Sequence, residues 1–203
     1  HMKLTIELMK RLSLYLFLLL LTLQTPSLAD DIRDFQIEGI SVGDSALDYF
    51  SESDIKKNSQ NYYKNKKFTP VQNYNYPFFK NYELVDFEYK TGDKNYIIYS
   101  LSGIIPYKKK DIKNCYKKMD EIDNDISKVL KNFRRGDKQT WKHDVDPTGK
   151  STFTDIYYET NNGVITITCY DFSKEQESKG SQDSLVVMFS LQEHVEFLRN
   201  NPY

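Results

Sequence analysis

Residues 152–172, TFTDIYYETNNGVITITCYDF, decide the fold. β-Branched and aromatic residues alternate with polar ones on both sides of Asn161-Asn162-Gly163, and Asn-Gly between two such runs is a strong hairpin signal. After a polar loop at 173–183, residues 185–190 read as a third strand, which makes this end of the chain a meander. A second hairpin reads upstream. Residues 84–89 set Val85, Phe87 and Tyr89 against Asp86 and Glu88, Thr91-Gly92-Asp93 turns, and residues 96–105 return with Ile97, Tyr99 and Leu101 on one face. Pro106 ends that strand.

Between the hairpins, residues 108–133 carry Ile112, Cys115, Tyr116, Met119, Ile122, Ile126, Val129, Leu130 and Phe133 in steps of three and four. That spacing predicts an amphipathic helix, closed by Arg134-Arg135-Gly136. Two shorter helices are expected near the start. One is capped by Asp44, with Leu47 and Phe50 on a face, and one begins at Ser51 or Ser53 and carries Ile55. Gly39 and Gly43 flank a tight entry to the first. Residues 58–81 read as a long surface loop with one short strand, residues 137–150 as a loop with a short strand at Trp141, and residues 193–199 as a closing helix. The class expected is α+β, an antiparallel sheet with helices packed on one face, in a single domain spanning residues 30–203.

The segment ahead of that domain reads as a signal peptide, residues 1–29, in which His1 is a cloning remnant. Lys3, Lys10 and Arg11 precede the apolar run LSLYLFLLLLTL, and Ser27-Leu28-Ala29 offers small residues before a cut at Ala29–Asp30. The run is shorter than the roughly 20 residues a membrane span needs. Retention of residues 2–29 as an anchor is the alternative, and no Cys lies near the cut to carry a lipid. Three of the 28 Lys/Arg and one of the 29 Asp/Glu lie in residues 1–29, which leaves 25 against 28. No basic excess exists to bind a nucleic-acid backbone. With 16 Tyr and 12 Phe, the chain is rich in the residues that favour sheet.

Phe35-Gln36-Ile37-Glu38-Gly39-Ile40-Ser41-Val42-Gly43-Asp44-Ser45-Ala46-Leu47-Asp48-Tyr49 resembles the opening of a group of small, uncharacterised exported bacterial proteins. In them a G-[IM]-S-x-G-x-S block follows the signal peptide, and the resemblance implies location. More distantly, the layout of glycine-flanked block, two helices and hairpin is similar to outer-membrane assembly lipoproteins and β-lactamase-inhibitor-protein-like modules. These work by binding other proteins. This chain differs in its long central helix and in lacking a lipid-anchor Cys.

Cys115 lies on the apolar helix stripe, and Cys169 alternates in phase with Ile165 and Ile167. Both point to the core, so an exported protein is expected to join them in a disulfide, the alternative being two buried thiols. His143, Asp144 and Asp146 have metal-ligand side chains but neither a zinc spacing nor a calcium-loop pattern, and read as a solvated turn. Asp120, Glu121, Asp123 and Asp125 read as the wet face of the long helix, and His194, beside Glu193 and Glu196, as a surface or cap histidine. Gly39-Ile40-Ser41-Val42-Gly43 matches the letters of a hydrolase nucleophile elbow, which needs a parallel sheet that is not expected here. Tyr62, Tyr63, Tyr74, Tyr76, Phe78 and Phe79, interleaved with Asn and Lys, form the candidate binding surface; the other reading has these rings covering the sheet.

The function expected is a non-enzymatic binding or envelope-accessory module, periplasmic or secreted, with an envelope protein or glycan as partner and no cofactor. A deep polar pocket gathering His143 or His194 with carboxylates would count against it. The alternative is an exported hydrolase using Ser41 or a His/Asp site, which requires a histidine within hydrogen-bond reach of Ser41.

Overall fold

The computed structural model describes residues 31–61, 63–74, 77–108, 111–130 and 132–200, and the expected signal peptide lies outside them. Two 3-10 turns come first, Ile32–Asp34 and Ala46–Asp48, followed by helix α1, Glu52–Asn58. Three strands follow, β1 (Phe68–Tyr74), β2 (Leu84–Lys90) and β3 (Ile98–Pro106), then helix α2 (Ile112–Val129). The rest is β4 (Arg134–Arg135), β5 (Gln139–Lys142), β6 (Thr152–Glu159), β7 (Gly163–Asp171), helix α3 (Lys174–Ser178), β8 (Ser184–Leu191) and helix α4 (Gln192–Arg199). All pairings are antiparallel, in the order β1-β2-β3-β8-β7-β6-β4, with β5 also on the outer side of β6. The α+β antiparallel architecture is therefore as expected. β1 occupies what read mainly as loop.

One face of the sheet carries the core. Val85 and Phe87 of β2, Ile98 and Leu101 of β3, Ile156 and Tyr158 of β6, Ile165, Ile167 and Cys169 of β7, and Leu185, Val187 and Phe189 of β8 are buried together. Onto them pack Cys115, Met119 and Ile126 of α2 and the N-terminal segment through Ile32, Ile37, Ile40 and Val42. The expected alternation of Ile97, Tyr99 and Leu101 is corrected. A bulge opposite Glu88/Tyr89 shifts the register, so Ile98 and Leu101 face the core while Tyr99 packs on Phe68 behind the sheet.

The long helix is shorter than its stripe. It ends at Val129, because Leu130 turns extended and Asn132 takes a φ of 51°. Leu130 and Phe133 still reach the core from extended chain, and Val129 is left 40% exposed. Arg134 and Arg135, expected as helix-closing cations, form β4 instead, with Arg134 on Glu159 and Arg135 on Asp123. The first helix is only the 3-10 turn Ala46–Asp48, capped by Ser45 rather than Asp44. The Asp44 carboxylate instead accepts from the Ser41 N–H and the Tyr49 hydroxyl. Gly43, at φ 94°, lets its N–H reach the Ile98 carbonyl and lay this block along β3.

The hairpin turn does more than reverse the chain. Asn162 accepts the Ile32 N–H, donates to Asp31, and offers its carbonyl to Gln192 N–H at the start of α4. Gly163 is required there, since a Cβ would stand 2.2 Å from the Ser190 carbonyl oxygen and 3.1 Å from Ile32 Cδ1.

Cys115 and Cys169 are joined by a disulfide and both are fully buried, pinning α2 to β7. With a separation of 54 residues, the chain-entropy account makes the link worth about 4 kcal/mol. The double variant C115A/C169A is expected to lose about that much in urea unfolding while keeping its far-UV spectrum; a loss under about 1 kcal/mol would show that the link does not constrain the unfolded chain.

Candidate functional site

Period-2 alternation fixes what the reverse face of the sheet presents, and the strand register arranges it in rows. One row runs Tyr157, Thr166, Met188, Ser102, Asp86, Gln72, and the next Glu159, Val164, Ser190, Ser100, Glu88, Pro70. Helix α4 lies across the second row. Its His194 and Phe197 pack on Phe68, Phe197 meets the Tyr63 ring edge-on, and Glu193 pairs with Lys67 and Lys90. The expectation that all helices share one face is thus corrected: the period of α4 puts His194, Val195, Phe197 and Leu198 on one stripe, which covers reverse-face rings.

Beneath α4 runs a buried polar chain. His194 is fully buried. Its Nδ1 lies 3.3 Å from Ser190 Oγ, and Ser190 Oγ lies 3.0 Å from Ser100 Oγ. Its Nε2 lies 3.0 Å from Glu88 Oε2, off the line of a good N–H···O bond, so that contact is electrostatic first. The Tyr63 hydroxyl donates to Glu88 Oε1 at 2.9 Å. The reading of His194 as a surface or cap histidine is corrected: its ring is sealed against a carboxylate, although within the core and not in an open polar pocket.

Asp86, one row away, keeps Oδ1 buried without a hydrogen-bond partner among the described residues. Burial pushes its carboxyl up to about 7, opposed by a hydrogen bond from Gln72 and reinforced by the Glu88 charge. It borders a notch of about 300 Å³ whose apolar floor includes Leu84 and Ile104.

On the other side of α4 a groove of about 460 Å³ runs along β6, β7 and β8. Val164, Met188, Val195 and Leu198 give it an apolar wall, with Asp155, Tyr157, Glu159 and Arg199 at its polar margin. Where the sheet continues past the groove, the cross-strand row Trp141, Phe153, Tyr170 forms an aromatic end with His143 and Phe172. The His143 ring sits 5.9 Å from Phe153, 5.6 Å from Tyr170 and 5.2 Å from Phe172, and Trp141 is 49% exposed with its indole N–H on Asp155.

Of the six rings of the expected aromatic surface, the side chains of Tyr63, Phe78 and Phe79 are described, and these three cover the fold. Tyr63 is buried, its ring spent on Phe197 and its hydroxyl on Glu88. Phe78 and Phe79 are partly buried against the core, Phe78 beside Phe50. Tyr62, Tyr76 and the Tyr74 side chain lie outside the described residues.

Asp144 is exposed, and Asp146 is turned inward, accepting from the N–H and hydroxyl groups of Thr148 and Ser151. Those bonds hold its carboxyl well below the ordinary range. Among the described residues, no group of three or more His, Cys, Asp or Glu is placed to hold a metal ion. Neither His143 nor His194 bonds to Ser41, so the Ser41 hydrolase arrangement is not formed among the described residues. Of the acidic helix residues, Asp120, Glu121 and Asp125 pair with Lys138, Lys118 and Lys128. Asp123 is no wet-face residue: it accepts from Tyr158 and Arg135. Among the described residues no helix is long and apolar enough to cross a membrane.

No protein-family model matches the chain, and no curated protein or solved structure matches it.

Because the folded Asp86 binds its proton more tightly than an unfolded carboxyl, it costs stability as pH rises from about 4 to about 7. Asp86→Asn is therefore expected to be more stable than the parent at pH 8, on the order of 4 kcal/mol, with the gap closing towards pH 4. Denaturant midpoints that run parallel across this range would show that Asp86 does not titrate as described.

Proposed function

We propose that the chain is an exported binding or envelope-accessory module whose ligand lies along the reverse face of the sheet, in the groove beside α4 and over the aromatic end. The observation that carries this is the asymmetry of the two faces. The core face is covered by α2 and the N-terminal segment, while among the described residues the reverse face is crossed by α4, with Tyr63 beside it, and carries an open groove along β6, β7 and β8. A groove of this size falls within the range of ligand sites, which combine apolar walls with a few placed polar groups. Trp141 and the Tyr170–Phe172 stack add flat rings that contact a partner at low entropic cost. Such rings suit an envelope protein or a glycan strand.

Export is supported by the signal-like residues 1–29 and by the buried disulfide, since such bonds form and persist in oxidising compartments. Protein made with residues 2–29 and recovered from the periplasm is expected to begin at Asp30 and to weigh two hydrogens less than its reduced form. A full-length, reduced species would place the chain at the membrane instead.

Binding at the reverse face has its own readout. Benzoylphenylalanine in place of Thr166, in the groove, is expected to cross-link one envelope component on illumination of intact cells, and the same residue in place of Lys117, on exposed α2, is not. Equal adducts at both positions, or none at Thr166, would remove the reverse face as the binding surface. Trp141 is the only tryptophan, so its emission reports glycan titrations directly.

A further inference from the structure

We propose that Ser190, His194 and Glu88 form a nucleophilic acyl-transfer site in the wall of the groove, and that the groove's ligand is an ester which the protein hydrolyses. This rests on the groove taking a ligand and goes further by giving that ligand a fate.

Either hydroxyl can donate in the Ser100–Ser190 contact, and the His194 tautomer sets which way the chain of protons runs. The arrangement that activates Ser190 has the imidazole proton on Nε2, 3.0 Å from the Glu88 carboxylate. Nδ1 is then the acceptor, so Ser190 donates to Nδ1 and Ser100 donates to Ser190. The Tyr63 hydroxyl holds the other Glu88 oxygen. A base that accepts from a serine while a carboxylate orients its far nitrogen is the arrangement that activates a hydroxyl as nucleophile. The Ser190–Nδ1 contact is the longest of the chain at 3.3 Å, and the others lie at 2.9–3.0 Å.

The chain fold explains how the groups meet. Ser190 lies near the end of β8 and His194 in the first turn of α4, four residues on, while the neighbouring strands β3 and β2 bring Ser100 and Glu88. Ser190 is 1% exposed but borders the groove, so a carbonyl reaches it only from there, out of bulk water. The apolar wall of Val164, Met188, Val195 and Leu198 suits an aliphatic acyl chain.

In the reaction, Ser190 Oγ bonds to the acyl carbon as its proton passes to Nδ1. The tetrahedral adduct collapses, its C–O bond to the alcohol breaks, and the departing oxygen takes the proton from Nδ1. Water then adds to the acyl-serine, giving a proton to Nδ1. The carboxylic acid leaves and Ser190 regains its proton from Nδ1. Glu88 Oε2, 3.0 Å from Nε2, lies where it stabilises the imidazolium as it forms.

The test uses the oxidised protein with an alkyl fluorophosphonate, with p-nitrophenyl butyrate, and with N-(4-nitrophenyl)butyramide as a slowly cleaved shape match. The expected results are a covalent adduct mapped to Ser190, turnover of the ester, and loss of that turnover by roughly 10³-fold in Ser190→Ala. Glu88→Gln is expected to lower kcat while leaving amide affinity, read from NMR shifts of Thr166 and Met188, unchanged. Because the adduct is sought on the parent protein, the test holds even if a variant fails to fold. If the amide binds in the groove but Ser190 takes no label and the ester is not turned over, catalysis is overturned and binding stands. If the amide does not bind and no label appears, the acyl-transfer site falls, and cross-linking at Thr166 alone decides the binding surface. Turnover that survives in folded Ser190→Ala also overturns the assignment.

Discussion

The pairing of β3 with β8 is the contact on which the rest of the molecule depends. It runs from Ser100↔Ser190 to Pro106↔Ser184 and joins two three-stranded meanders that otherwise share no strand. Neither meander has a complete core alone. Val85, Phe87 and Leu101 come from one, Ile165, Val187 and Phe189 from the other, and they form a single buried cluster only because the seam is closed. Helix α4 reinforces the same union from the reverse face, while α2 is held to the second meander. Cys115 of α2 is bonded to β7, and α4 leans from β8 onto Phe68 and Glu88 of the first meander. The disulfide thus fastens α2 to the second meander, and the buried polar chain ties the two meanders across the seam on the opposite face.

What was legible in the amino-acid sequence was whatever is encoded locally. The Asn-Gly turn, the period of β6 and β7, the stripe of α2 and the inward phase of both cysteines depend on neighbours within a few residues, and the structure has them. What was not legible depends on distant partners. His194 looks exposed beside Glu193 and Glu196, yet its environment is set by Glu88 and Ser100, about a hundred residues away in sequence. The 108–133 stripe continues apolar past Val129, but pairing with β6 claims residues 134–135 for the sheet, so the periodicity outlasts the helix. The bulge at β2/β3 inverted the expected phase for the same reason, since it exists only in the pair.

The candidate site was half readable. Once Ile156, Tyr158, Ile165 and Ile167 are assigned inward, strand alternation sends Phe153, Tyr157, Thr166 and Tyr170 to the reverse face, and these are the residues of the groove and aromatic end. The richer-looking run of rings at 62–79 drew attention by composition, but Tyr63 is consumed in sealing α4 and Phe78 in packing on Phe50. Aromatic density along the chain marks where rings are plentiful, whereas the phase of a strand marks which rings remain available.

The place of β8 in the sheet has a consequence for the order in which the chain can acquire its structure. The last strand among the described residues is also a central one, between β3 and β7. A chain that emerges N-terminus first displays β1, β2 and β3 with an open edge, and α2 with half a surface to lie on, until the residues up to Leu191 are free. Long-range pairing of this kind is slow to form, and it makes completion a single late event. A chain cut before Ser184 would therefore lose the keystone of the sheet, whereas trimming at β4 and β5 would only narrow its margin.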